Sequence, residues 1–135
     1  MPRLEYFVVA ESISVDQSTN RISVFNVLEE ATLTVPGTIH NLVAVSGWNL
    51  SEEDGGKDFQ AMLRIKQAGD SEEADTIEFP VNFKAERARH RVCFFVTGLP
   101  VRQPGDLGFE LLLNGRQVAT HTVAVHKHEE VPAGL

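Results

Sequence analysis

His126-Lys127-His128 sets two imidazoles on the same side of an extended strand, about 7 Å apart at the usual rise, a spacing that can hold zinc. A zinc centre needs a third ligand, and a catalytic one also needs an open position. Glu129 and Glu130 follow in a tail, and His121 has the opposite parity to the pair. A cupin-type arrangement would continue with Glu and then Gly, where this chain has Pro132 and Ala133. His126 and His128 therefore read as solvent-facing tail histidines, with metal binding as the alternative. Calcium is the other ion to weigh, because Glu52-Glu53-Asp54 and the segment Asp70 to Asp75 supply hard oxygen ligands. No Asp-x-Asp-x-Asp-Gly loop organises them, so they read as solubilising surface.

Nucleophilic chemistry finds no home. Gly-x-Ser-x-Gly is absent, and Cys93 lies inside the apolar run Val92-Cys93-Phe94-Phe95-Val96, where a core thiol is expected rather than a reactive one. Neither the dinucleotide nor the phosphate-loop glycine pattern occurs. Trp48 precedes Asn49 and the acidic turn at a strand end; core packing is the favoured reading, and an exposed indole serving a sugar or a protein hot spot is the other. No catalytic, cofactor-binding or metal residue is assigned, and no enzyme activity is expected.

The charge of -7 opposes non-specific attraction to nucleic acid or anionic lipid, which are themselves negative. One basic stretch runs against that balance: Lys84, Arg87, Arg89, His90 and Arg91, read as a solvated strand face and loop. With one cysteine no intrachain disulfide can form, which suits a reducing compartment. The first residues lack the apolar core of a signal peptide, and no stretch reaches the length of a membrane span, so a cytoplasmic location is expected.

Alternation of apolar and polar residues organises the whole chain, and no segment sustains a helical period. Leu4 to Val15 and Arg21 to Leu28 flank the polar turn Asp16 to Asn20 and read as a hairpin. Ala31 to Val35 ends at Pro36-Gly37. Leu42 to Trp48 is apolar on both parities, which predicts burial of both faces or a bulge near Gly47. Phe59 to Ile65 alternates cleanly, and Ile77 to Phe83 contains Pro80, which points to a sheet edge. Arg91 to Thr97 is the most apolar strand and is expected to lie centrally. Leu107 to Leu113 and Arg116 to Val125 form a closing hairpin about Asn114-Gly115. A two-residue turn would put Val118, Thr120 and Thr122 on the core parity; a bulge would bring in Val123 and Val125 instead.

These elements predict an all-β fold: a single antiparallel two-sheet β-sandwich of about eight or nine strands, over residues 1–130, with a frayed tail at 131–135. The opening Tyr6 to Ser12, the following Asn20 to Leu28, and the later Pro104 to Phe109 with Leu113-Asn114-Gly115 resemble a family of small uncharacterised bacterial proteins. The resemblance implies an immunoglobulin-like sandwich and carries no catalytic residues over. The function expected is a non-enzymatic protein-interaction or assembly module, with self-association through acidic segments 51–58 and 70–75 against basic 84–91. The alternative is a small-ligand or metal-binding domain, zinc or calcium, using loops at one end.

Overall fold

The computed structural model describes residues 1–69 and 76–128. Asp70 to Asp75, Glu129, Glu130 and the tail at 131–135 lie outside the described residues. Nine strands follow one another: β1 (Arg3–Val15), β2 (Ile22–Val27), β3 (Glu30–Leu33), β4 (Gly37–Asn49), β5 (Asp58–Lys66), β6 (Ile77–Lys84), β7 (Arg89–Val101), β8 (Gly105–Leu113) and β9 (Arg116–Lys127). Between β4 and β5 lies a 3-10 turn, Glu52–Asp54. Four strands form one sheet in the order β2-β1-β4-β7, and five form the other in the order β3-β9-β8-β5-β6. The five-stranded sheet curls towards a half-barrel. Among the described residues six of the seven strand pairings are antiparallel, and β3 runs parallel to β9, from Glu30 beside Ala124 to Leu33 beside Lys127. The all-antiparallel expectation is corrected there: the chain crosses from one sheet to the other after β2, so β3 meets β9 travelling the same way.

Both sheets contribute to one core. Val9, Leu42, Ala44, Trp48, Phe94 and Val96 meet Phe59, Leu63, Ile65, Phe109, Leu111 and Val123. β4 lies between β1 and β7 and is buried on both faces from Leu42 to Trp48, as its apolar residues on both parities predict. The irregularity expected near Gly47 falls on its partner, where the β1–β4 register shifts between Leu4 and Tyr6. Trp48 is a core residue, only 1% exposed. Its indole N–H donates to Ser46 Oγ at 3.0 Å, and that hydroxyl donates to the Val92 carbonyl at 3.0 Å.

β7 corrects the sequence reading. It pairs with β4 alone and so forms a sheet edge among the described residues, not the centre. Its apolar run divides by parity: Val92, Phe94 and Val96 enter the core, while Cys93 is half-buried on the outer face and Phe95 is 70% exposed. A continuous apolar run marks a strand without saying how many neighbours it has. Pro80 does sit on an edge strand, β6, opposite Met62.

The closing hairpin uses the two-residue Asn114-Gly115 turn, with φ of 48° and 82°, values that asparagine and glycine tolerate best. A register shift at Leu111/Leu112 then leaves Val118 exposed and turns Val123 and Val125 inward. Of the two registers open from sequence, the bulged one is present. His121 consequently reaches back, its Nε2 in contact with the Leu28 carbonyl.

The β1–β2 hairpin curls over the outer face of the four-stranded sheet. Ile13, Ile22 and Val24 pack on Ala10, Val43 and Val45, beside Val8 and Cys93. Asn26, at φ 56°, donates from Nδ2 to Glu11 Oε2 at 2.9 Å, next to the Ala10–Val27 pair where the hairpin leaves β4. At the tip, Arg91 Nη2 donates to the Asn20 carbonyl at 3.0 Å.

Removing the Ser46 hydroxyl leaves the buried indole N–H without an acceptor. Ser46→Ala is expected to destabilise the fold by about 1–3 kcal/mol, the cost of one buried unsatisfied donor. Denaturant unfolding followed by tryptophan fluorescence checks this, and an unchanged midpoint would contradict the role given to Ser46.

Candidate functional site

The outer faces of the two sheets differ in kind. On the five-stranded sheet, cross-strand neighbours Arg64 and Glu110 form an ion pair at 2.7 Å, with Lys66 at 3.6 Å from the same carboxylate. The four-stranded sheet carries an apolar outer face instead, and the hairpin covers it only in part. Phe95, Phe25, Val27 and Tyr6 stay exposed there or on the hairpin itself.

β7 positions the chemistry that remains. Leu50 N–H donates to the Ala88 carbonyl, one step beyond the Asn49–Arg89 pair, and this fixes the phase of the β4–β7 ladder. Ala88, His90, Val92, Phe94 and Val96 bond towards β4. Arg89, Arg91, Cys93, Phe95 and Thr97 therefore direct both N–H and C=O to the free side, and their side chains share the outer face. From Arg89 to Thr97 the strand thus offers, among the described residues, an unpaired backbone edge with the outward sequence Arg, Arg, Cys, Phe, Thr, while further along Gln67 Nε2 donates to the Pro100 carbonyl.

Two concavities flank this strand. A groove of about 340 Å³ runs between β6 and β7, lined by Val81, Phe83, Lys84, Glu86, Val92 and Cys93 among others. A cleft of about 150 Å³ opens on the outer face between Glu5, Tyr6, Asn20, Gly47, Arg89 and Arg91. Both are also lined by His90 and Arg91. In the cleft the Tyr6 ring covers Gly47, its cross-strand partner, so closely that a Cβ there would clash with Tyr6 Cε1 and lie 2.5 Å from Cζ. Arg91 Nε is enclosed and has no hydrogen-bond partner, while Nη2 is held by Asn20. Arg3 donates to Glu5 at 2.9 Å, and this bond, assisted by the charge of Arg89, holds the Glu5 carboxyl below its ordinary value. Burial pushes the Cys93 thiol up, against a weaker opposing pull from Arg91.

His90 faces the other way from its basic neighbours. Its ring stacks on Phe83 at 4.6 Å and 11°, and Phe83 in turn meets Trp48 and Phe59 at 6.3 and 5.7 Å, tying the two sheets together at this end. Burial lowers its pKa, with Arg87 assisting and Glu86 opposing. The basic stretch of the sequence is thus split between a connection, an outer face and a core-facing ring.

The remaining expected residues are dispersed. His126 Nε2 lies 3.5 Å from Glu30 Oε1, both well exposed, and His128 N–H donates to the Leu33 carbonyl. Among the described residues no three His, Cys, Asp or Glu side chains gather as metal ligands. The acidic turn packs beside 85–88 in the same chain, through Gly56 N–H to Ala85 O at 2.9 Å and Ala85 N–H to Lys57 O at 2.9 Å. Asp54 is held by Ser51 N–H at 2.9 Å and by the Met1 ammonium at 2.8 Å, contacts that lower its pKa. A groove of about 670 Å³ lies between Leu28, Ala31, Leu33 and Ile39, with Glu11 and His40 at its margin. Among the described residues no helix is long and apolar enough to cross a membrane. No family model and no curated protein matches the sequence.

Two outcomes check this geometry. Gly47→Ala is expected to displace Tyr6 and cost about 1–3 kcal/mol, as overpacking does. Retention of both the stability and the Tyr6 environment by NMR would contradict the close contact. His90 should titrate below an ordinary histidine, because the folded chain favours its neutral form. The unfolded chain then binds more protons between the two values, so stability is full above the ordinary value and falls as pH drops through that window. An NMR titration of His90 reads the midpoint, and Phe83→Leu should move it back up.

Proposed function

We propose that this chain is a non-enzymatic protein-interaction module of the immunoglobulin-like sandwich type, which receives an extended segment of its partner along the free edge of β7. The order of strands supports the sandwich assignment. β4 and β7 are neighbours in one sheet, as strands B and E are in immunoglobulin domains, and β5, β8 and β9 adjoin in the other as C, F and G do. β6 then takes the place of C′, and β1, beside β4, that of A. What lies beyond E in that arrangement is strand D, and among the described residues β7 has no neighbour on that side. The B–F disulfide of antibody domains has no counterpart, because the only cysteine is on β7.

The observation that carries the functional reading is the outward row of β7. An exposed edge strand is a template for another strand, and proteins usually blunt it by shortening, charge, proline or a cover. Here the edge is long, its middle is Cys93 and Phe95, and a groove runs beside it. Strand addition uses main-chain bonds for affinity and alternate side chains for specificity, and both are on offer. Arg89 and Arg91 would favour a partner segment with acidic or aromatic side chains over a basic one. The reading keeps the cytoplasmic location expected from the cysteine usage, and no nucleic-acid or membrane partner.

Proteins retained by the immobilised chain give the test. Thr97→Pro removes an outward N–H without touching the β4 ladder, so the variant should fold. At least one partner retained by the wild type should be lost by it. Equal retention by wild type and variant would contradict strand addition at β7.

A further inference from the structure

We infer that the strand received by β7 is β7 of a second copy, antiparallel, with the two-fold axis at Cys93. This rests on the edge reading above and adds the partner and the register.

The two halves of the outward row are unequal. Arg89 and Arg91 occupy one half, Phe95 and Thr97 the other, and Cys93 stands between them. Antiparallel pairing about Cys93 sets each basic half against a neutral half: Arg91 faces Phe95 of the other copy, and Arg89 faces Thr97. No like charges meet, and a guanidinium lies beside an aromatic ring, a favourable pair. The single chain already holds the two members of this pair in place. Phe95 is 70% exposed with nothing over it, and Arg91 is anchored at Nη2 while its Nε lacks a partner.

The neighbouring axes that also pass through an outward-bonding residue do worse. An axis at Arg91 places that charge against itself. One at Phe95 sends Arg91 opposite Leu99, past Gly98, whose φ of 68° breaks the extended geometry. At a two-fold axis identical residues meet, which favours a small neutral side chain such as Cys93. The ladder phase also fits: Cys93 turns both N–H and C=O outward, so the central pair exchanges two hydrogen bonds and the four-stranded sheets of the two copies become continuous. An acidic peptide could match the two arginines but supplies nothing specific for Phe95.

Sedimentation of the intact chain from micromolar to millimolar concentration, with a short thiol-to-thiol cross-linker, tests this. In the central pair the two Cα atoms would lie about 5.5 Å apart, so cross-linking through Cys93 should give a covalent dimer that Cys93→Ser abolishes. Phe95→Lys should weaken association at least tenfold by facing Arg91 with a like charge. Phe95→Glu should preserve or tighten it, whereas an acidic partner peptide would be repelled by the same change. A chain that stays monomeric throughout overturns the second copy, and so does a dimer that neither links through Cys93 nor responds to residue 95. If such a chain still captures a partner that Thr97→Pro loses, only the second copy has failed. If capture ignores Thr97→Pro, the edge reading fails with it.

Discussion

A stretch of strand with no exposed face sets the terms for the rest of this protein. From Leu42 to Trp48, β4 sends Leu42, Ala44, Ser46 and Trp48 into the space between the sheets and Val43, Val45 and Gly47 to the opposite side, and all of them are buried. Burying one face requires the five-stranded sheet. Burying the other requires a second cover, and the chain makes it from its own first hairpin, which lays Ile13, Ile22 and Val24 on Val43 and Val45. Where the hairpin does not reach, Tyr6 fills the space over Gly47, the way an aromatic residue on a neighbouring strand shields a glycine in a sheet.

That arrangement determines what is left uncovered. The hairpin tip ends at Arg91, and its apolar side is used up on Ala10, Val43, Val45 and Cys93. Phe95, two residues further along β7, lies beyond it. β7 therefore has a core-facing side as well buried as that of β4, an outer side covered over one half, and an edge with no neighbouring strand among the described residues. Burial of Val92, Phe94 and Val96 anchors the strand while its backbone edge from Arg89 to Thr97 stays available. A rigid edge loses little entropy when another strand joins it, which is the condition for useful binding.

Local patterning made most strands legible, because parity alone separates inward from outward residues. Leu42 to Trp48 showed its two-sided burial through apolar residues on both parities, Pro80 marked an edge, and Asn114-Gly115 marked a tight turn. Arg91 to Thr97 misled because an apolar run reports β propensity and hydrophobicity, not the number of neighbouring strands; the decisive information is which strand lies beside it, a non-local fact. The parallel β3–β9 contact and the fold-back of the first hairpin are non-local for the same reason. The basic stretch was visible as Arg89, His90 and Arg91, but its partners Tyr6, Asn20 and Gly47 come from distant segments, and no local signal joins them. His126 and His128 had a metal-like spacing, but among the described residues no three metal-ligating side chains gather, and Glu30 stands beside His126.

The central claim is that β7 is bonded on one side and open on the other. Amide hydrogen exchange read residue by residue in dilute protein tests it most directly. An alternating pattern is expected, with His90, Val92, Phe94 and Val96 protected by β4 and Arg89, Arg91, Cys93 and Phe95 exchanging quickly. Uniform protection of both sets in the dilute monomer would show that the edge is already occupied and would rule out an open β7.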